Sequence, residues 1–573
     1  MRSVPSLAER AAGRWRRAFP IAAWLPAYER RWLRADVLAG ATLAAFVIPE
    51  SMAYASLAGL PPQAGLYCVL LASAAYPLFG TSRRLALGPT SAISLVVGST
   101  LAPIAGGDLA RHATLAMGAA LLVAAVGLVA WSLSLGQIVH FVSETILRGF
   151  KAGAALVIAS TQLAHLAGIE PGGSDFYTRV LHLLVHRGAV HGPSLAVGLA
   201  GFAALLAGGR WLPRLPMPLL VVAVAIVAST LLGLPERGVQ VVGAIPSGLP
   251  PLGVPHVAAS DVRSLVPLAL ACFLLAYVES VSTARALGMA RGETIDANQE
   301  LLAIGAANLA AGLGHGYPVS GGMSQSAVND RAGARTPLSL GVAALAIAGV
   351  LLFATQLFAE LPEPILAALV LAAVLHLIDV REFRRLRQVS RMEFHVAMVA
   401  LVAVLLLGIL QGVLIAAIFS IAMLLRRAAA PPVALLGRIP GTDQFADAER
   451  HPENERIPGA LLLRPGASLV YFNADFVHEA VLARLAAETV PVDRVVLDLS
   501  AVPSVDLAGT SMLAALYDEL AERRVALRLA DAHGPVRDSL RAAGAAERFA
   551  PIDQGMSIET ALAMPATAPR RTP

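Results

Sequence analysis

Between Asp36 and Arg427 the chain passes through about fourteen apolar stretches, most of them near the roughly 20 residues that cross a bilayer as a helix. Their starts fall near residues 36, 62, 85, 113, 149, 192, 216, 264, 298, 320, 338, 364, 393 and 410. A water-soluble domain cannot carry that pattern. Of 573 residues, 56% are apolar and 14% charged, with a mean hydropathy of +0.67, so most of the surface must face lipid and the chain is expected to be a polytopic α-helical membrane protein. Cys68 and Cys272 sit inside apolar runs far apart and read as small buried hydrophobes rather than a disulfide.

Charge placement gives the expected topology. The formal charge of +5 does not point to nucleic acid, because the cations are nearly all arginine (Lys151 is the single lysine) and lie in short clusters between apolar runs, a pattern suited to lipid headgroups. With a cytoplasmic N-terminus, even-numbered connections hold Arg83, Arg84, Arg148, Arg210, Arg214, Arg285, Arg291, Arg331, Arg335 and the group Arg381 to Arg391. Odd ones hold only Arg111, Arg179, Arg187, Arg237 and Arg263. That parity follows the positive-inside rule and implies an inner-membrane protein with both termini in the cytoplasm. Residues 1–35, rich in arginine and carrying Trp15, Trp24 and Trp32, read as an interfacial segment without a signal-peptide cleavage site.

After Arg427 the composition changes. The expected division is 36–428 as a transmembrane unit, 429–458 as a linker, 459–566 as a compact α/β domain and 567–573 as a tail. Strand-like SLVYF, RVVLDLS and VALRLAD alternate with helix-like DFVHEAVLARLAAE, LAGTSMLAALYDELAERR and PVRDSLRAAG.

Two membrane segments are interrupted. LALGPTSAISLVVG breaks at Gly88 and Pro89, and YPVSGGMSQSAVND breaks at Ser320, Gly321 and Gly322; each reads as a few extended residues followed by a half-helix starting inside the membrane. Such backbone is tolerated only around a protein-lined or watery cavity, so the breaks point to a site. They fall third in the first seven spans and third in the second seven, as two inverted repeats would place them. The first span carries VIPESMAYA and the eighth AYVESVSTA, which puts Glu50 and Glu279 at matching positions. A carboxylate in an apolar helix is costly and faces a cavity or a partner; the bland alternative is that Glu50 lies near a helix end and meets water. Facing half-helix N-termini favour an anion. Arg83, Arg84, Arg331 and Arg335 are expected at the cytoplasmic edge, leaving coordination to backbone amides and to the hydroxyls of Thr90, Ser91, Ser320 and Ser324; close helix packing is the alternative use of such small residues.

PESMAYASLAGLPPQAGLY with YPLFGTSRRLALGPTSAIS resembles the first-to-third-span signature of the sulfate permease (SulP) anion transporters, and PVSGGMSQSAVN resembles their tenth-span motif. VVLDLSAVPSVDLAGTSML is similar to the core of the STAS domain, the sulfate-transporter and anti-sigma-factor-antagonist module usually fused to them. The resemblance runs from about Asp36 to Ala563. It implies fourteen spans as two inverted seven-span repeats, a core domain moving against a gate domain, substrate between spans three and ten, and a homodimer. STAS domains regulated by phosphorylation commonly carry serine or threonine after the aspartate matching Asp506; here that residue is Leu507.

The expected function is secondary active transport of a small anion of the sulfate, bicarbonate or dicarboxylate class by alternating access. The substrate-binding set is Glu50, Tyr54, Gly88, Thr90, Ser91, Ala92, Ser320, Gly321, Gly322 and Ser324, with Glu279 as carrier of a coupling proton, or of sodium with Ser282 and Thr283. A nucleobase-type permease of the same fold and a membrane sensor signalling through the STAS domain are the alternatives. No cofactor or metal motif is present, and no Walker loop, HExxH or GxSxG suggests an enzyme.

Overall fold

The protein is described by a computed structural model that covers residues 19–136, 144–170, 172–173, 175–212, 216–289, 291–375, 378–549 and 556–564. The first 18 residues with Trp15, Arg214 and the 567–573 tail lie outside the described residues. The chain forms two compact units, Met1–Ser420 and Ile421–Pro573.

The larger unit is helical. Its elements are α1 (Leu33–Leu57), α2 (Pro62–Phe79), the two-residue strand β1 (Leu87–Gly88), α3 (Ser91–Ala105), α4 (Leu109–Ser132), α5 (Glu144–Ala167), α6 (Phe176–Val185), α7 (Gly192–Trp211) and α8 (Met217–Leu232). There follow α9 (Ala259–Met289), α10 (Ala297–Leu313), β2 (Ser320–Gly321), α11 (Met323–Arg331), α12 (Leu338–Phe353), α13 (Glu363–Leu375), α14 (Val380–Val389), α15 (Arg391–Leu407) and α16 (Ile409–Ala429). Arg30–Leu57, Leu109–Ser132, Gly192–Trp211 and Ala259–Met289 are each long and apolar enough to cross a membrane.

Two connections between apolar runs are themselves helices. In α6 the Asp175 carboxylate accepts from the Thr178 amide, and the Thr178 hydroxyl takes the Asp175 amide in return. In α14 Asp379 caps the amides of Arg381 and Glu382, and Leu386 alone is buried. Neither reads as a span: α6 is apolar but only 10 residues long, and α14 is amphipathic with a charged face.

The helices pack as two sets. In one, α10 lies against α4 and α2, α9 against α4, and α12 against α1 and α2; in the other, α5 packs on α15 and α13, and α7 on α13 and α8. The sets meet where α1 touches α13 and α8, and where α3 touches α5. Cys68 and Cys272 are buried in the first set as unpaired thiols.

The smaller unit carries β3 (Val433–Arg438), β4 (Phe445–Asp447), β5 (Ala460–Pro465), α17 (Ala474–Ala486), β6 (Arg494–Asp498), α18 (Leu507–Glu522), β7 (Ala526–Ala530), α19 (Gly534–Ala542) and α20 (Ile558–Ala563). The sheet order is β4-β3-β5-β6-β7, antiparallel at β4/β3 and β3/β5, parallel at β5/β6 and β6/β7. α17, α18 and α19 cover one face around Leu463, Val495, Leu497 and Leu513, while α20 covers the other around Leu462, Val496 and Ala530.

Two expectations are corrected here. The segment 429–458 is not simply a linker, because VALLGR and the FAD at 445–447 are sheet strands; the prolines stand just before the first residue of β3, where they cost no ladder bond. SLVYF is not a strand. Leu469 makes one isolated bridge to Val505, while Tyr471 is 76% exposed, and the sheet position goes to ALLLRP, buried on both faces.

Candidate functional site

The two interrupted segments meet. β1 and β2 form an antiparallel ladder with Leu87 opposite Gly321 and Gly88 opposite Ser320. Gly321 permits this approach, since a Cβ there would fall 2.7 Å from Leu85 Cδ1. A two-residue ladder leaves most backbone groups of the breaks unpaired in a buried place, which would be costly. Side chains from neighbouring helices take them up. Ser280 Oγ accepts from the Gly321 amide at 2.7 Å, Ser326 Oγ from the Ala86 amide at 2.9 Å, and Asn308 Oδ1 from the Val319 amide at 2.9 Å. Gln325 Nε2 donates to Pro89 O at 3.0 Å, Asn329 Nδ2 to Arg84 O at 3.1 Å, and Asn308 Nδ2 to Val319 O at 3.1 Å.

Beyond the ladder the chain turns into α3 on one side and α11 on the other. Their N-cap residues, Thr90 and Gly322, supply no side-chain cap, so the first amides of both helices keep their donor capacity. Thr90, Ser91 and Ala92 are buried, as are Gly88 and Gly321, whereas Met323 and Ser324 are exposed. The cluster in front of these N-termini is a chain of hydroxyls and carboxylates. Thr90 Oγ1 lies 3.3 Å from Ser320 Oγ, and Ser320 Oγ donates to Glu279 Oε2 at 3.0 Å. Tyr54 OH donates to Glu50 Oε1 at 3.0 Å and Ser324 Oγ to the same oxygen at 3.4 Å. Glu50 is 6% exposed, well inside α1 rather than at its end, and its Oε2 is buried with no partner; Glu279 is half-buried. The sequence-derived residues thus share one locus, apart from Ser282, which is exposed while Thr283 is buried. Among the described residues no three His, Cys, Asp or Glu side chains converge as a metal site.

Several residues that build the site carry no signal in the apolar pattern. Ser280, Asn308, Gln325, Ser326 and Asn329 hold the broken backbone, and a lone amide or hydroxyl on an apolar helix is indistinguishable from a packing residue until its partner is placed. Arg84 is a correction. It is not solvated at the cytoplasmic edge: its guanidinium, 6% exposed, pairs with Glu293 at 2.8 Å and Asp330 at 3.0 Å, and Arg291 joins Asp330 at 2.9 Å. Two further carboxylates, Glu300 and Asp36, are fully buried. Glu300 Oε1 accepts from the Thr81 amide and hydroxyl at 2.8 and 2.6 Å and from Tyr76 OH at 3.1 Å. Asp36 accepts from the amides of Arg335 and Thr336 at 2.7 and 3.1 Å and from the Thr336 hydroxyl at 2.7 Å.

In the smaller unit Asp506 caps α18 through the Gly509 amide at 2.8 Å and takes the Tyr471 amide at 2.9 Å. Leu507 beside it is 76% exposed, and the Thr510 and Ser511 hydroxyls both turn back to Leu507 O at 2.8 Å.

Residues 33–400 match the sulfate permease family and residues 451–559 the STAS domain. A "Probable sulfate transporter" of Mycobacterium tuberculosis (strain H37Rv) is 39% identical over 547 residues, covering 94% of this chain and 98% of its own. "Sulfate transporter 4.1, chloroplastic" of Arabidopsis thaliana is 30% identical over 551 residues, covering 92% and 80%. The fold is similar to that of the murine anion transporter Slc26a9 in the inward-facing state, with a TM-score of 0.87 at 22% identity over 98% of this chain and 95% of that one. It is also similar to the transmembrane domain of the cyanobacterial bicarbonate transporter BicA, with a TM-score of 0.62 at 23% identity over 68% and 98%. The chain is therefore a multi-pass membrane protein that belongs to the sulfate permease family of transporters, not to an enzyme family, and it carries a STAS domain.

Proposed function

We propose that the chain is a secondary active transporter that binds a small oxyanion at the N-termini of α3 and α11 and couples its passage to a proton through Glu279. The observation that carries this reading is the ladder between β1 and β2, which holds two uncapped helix N-termini against one cluster of hydroxyls and two carboxylates. Sulfate is the first candidate, because the relatives at 30–39% identity bear that name. The transport unit spans residues 36–428 as fourteen passes of the inner membrane in two inverted repeats, with both termini and the STAS domain, which takes in β3 and β4 as well as residues 459–566, in the cytoplasm.

The pairing of elements supports the repeats. Exchanging the first span with the eighth and the third with the tenth turns the α1–α11 contact into the α9–α3 contact. The same exchange relates Glu50, held by Ser324 at the start of α11, to Glu279, linked through Ser320 to Thr90 at the start of α3.

Magnitudes explain why a proton would gate binding. A helix N-terminus stabilises an anion by about 0.3–1 kcal/mol, up to about 2 when partly buried, so two of them supply about 1–4 kcal/mol. An ionised carboxylate roughly 5 Å from that anion costs about 3 kcal/mol at an effective dielectric constant of about 20. The two effects nearly cancel. Protonation removes the repulsion, so anion and proton enter together, and alternating access carries both.

The test is uptake of labelled sulfate, bicarbonate and fumarate into proteoliposomes of the purified chain under imposed proton and sodium gradients. Accumulation of one anion on an inward proton gradient, lost when Gly322 or Ser91 is replaced by leucine with membrane expression retained, is the expected result. Unchanged transport by both variants would place the site elsewhere.

A further inference from the structure

A cavity of about 260 Å³ lies away from the carboxylate cluster, where the segment before α1 meets the end of α2 and the start of α12. Ala23, Trp24 and Trp32 wall it from one side, and Thr81, Arg83 and Thr336 from the other. Trp24 is fixed by its indole N–H, which donates to Pro77 O at 3.1 Å. The carboxylates on the elements around the cavity are occupied: Asp36 by Thr336 and its neighbours, Glu300 by Thr81 and Tyr76, and Glu29 by Arg31. Arg83, between α2 and β1, is exposed and has no acidic partner among the described residues, and the same holds for Arg30 just before α1 and Arg34 in its first turn. The cavity therefore combines a cation without an acidic partner and two indole faces, at the level where three apolar helices begin or end.

We propose that this cavity binds the headgroup of an anionic phospholipid. The charge calls for a phosphodiester, and the Arg83 guanidinium is the donor that such a group accepts from, because the single protons of the Thr81 and Thr336 hydroxyls are already given to Glu300 and Asp36. The indoles and Ala23 call for an apolar body next to that charge, which inorganic phosphate lacks, and tryptophan at the ends of apolar helices sits at headgroup depth. The volume admits a phosphoglycerol group while the acyl chains leave along the α1 and α2 surfaces. Because Thr81 and Thr336 also hold the buried carboxylates Glu300 and Asp36, an occupied cavity braces the loop leading into β1 and the start of α12 together.

The experiment uses the full chain, delipidated in neutral detergent, with phosphatidylglycerol, phosphatidylcholine or sodium phosphate added, read by native mass spectrometry and thermal unfolding. Phosphatidylglycerol is expected to remain bound and raise the melting temperature, and the other two not to. Arg83→Gln weakens that binding about fivefold, the loss expected for one arginine at an anionic surface. Ala23→Trp fills the cavity with charge unchanged and weakens it as well, while Arg210→Gln at a distant helix end leaves it intact. Equal retention of phosphatidylglycerol by the parent and both cavity variants, an equal effect of phosphate or phosphatidylcholine, or an equal loss in Arg210→Gln overturns the proposal.

Discussion

A carboxylate that takes up and releases a proton during transport must be reached by both water and substrate. Glu279, half-buried with a hydroxyl donor at 3.0 Å, meets that condition better than Glu50, which is 6% exposed and accepts from two hydroxyls. Glu279→Gln imitates the protonated form, so substrate should still bind and exchange but no longer accumulate on an inward proton gradient. Accumulation like that of the parent would remove Glu279 from the coupling. In the smaller unit, burial and then the charge of Asp498 raise the Asp531 carboxyl above its usual range. An unfolded carboxyl titrates near 3.9, so the stabilising proton is fully present below about pH 4 and its contribution is lost as pH rises through the higher folded value. Asp531→Asn removes that loss, and asparagine tolerates the positive φ of 50° at this position. Hydrogen exchange on the full chain should show β6 and β7 better protected than in the parent at neutral pH, the difference closing below about pH 4. Single residues were legible in the sequence only where they interrupted something. Glu50 and Glu279 break long apolar runs, whereas Glu300 and Asp36 lie close to run ends, where a carboxylate reads as solvated; what buries them are partners 219 and 300 residues away.

Among elements, α3 and α11 were announced by their punctuation. Gly88-Pro89 and Ser320-Gly321-Gly322 rule out a continuous helix, and the apolar residues after them restart one. What the pattern did not carry was the ladder between the breaks, because antiparallel pairing of two dipeptides depends on polar residues from other helices to satisfy the remaining backbone. α6 and α14 carry no such mark: α6 is apolar but only 10 residues long, too short to read as a span, and the charged face of α14 hides it from the apolar pattern. Close backbone approach fixes α3 as much as the ladder does. A Cβ at Gly98 would lie 2.5 Å from Leu57 O at the end of α1, so Gly98→Ala must push two backbones apart. The expected cost is about 1–3 kcal/mol, seen as a lowered melting temperature in detergent; an unchanged melting temperature would mean that α3 shifts freely.

Among the described residues the hydrophobic core of the larger unit's helices is separate from the two of the smaller unit, one between the sheet and α17 to α19 and one between the sheet and α20. A unit that buries its own core can fold alone, so truncation after Ala429 should leave a membrane-inserted, monodisperse protein whose transport rate falls while substrate binding persists. Loss of all inserted protein would tie the two units into one folding reaction. The change of composition near Arg427 made this division readable, but β3, an inner strand of the sheet, was hidden because the prolines before it look like a linker's. One consequence concerns the length of the chain rather than its chemistry. Side chains of a strand alternate with period two, so adding or deleting one residue between Arg84 and Ser91, or between Tyr317 and Met323, would turn Gly88 or Ser320 to the wrong face and slide a helix start by about 3.3 Å. Surface connections elsewhere are free to lengthen; these two stretches are not, and a library of single-residue insertions should return almost no active members there even when the inserted residue is glycine.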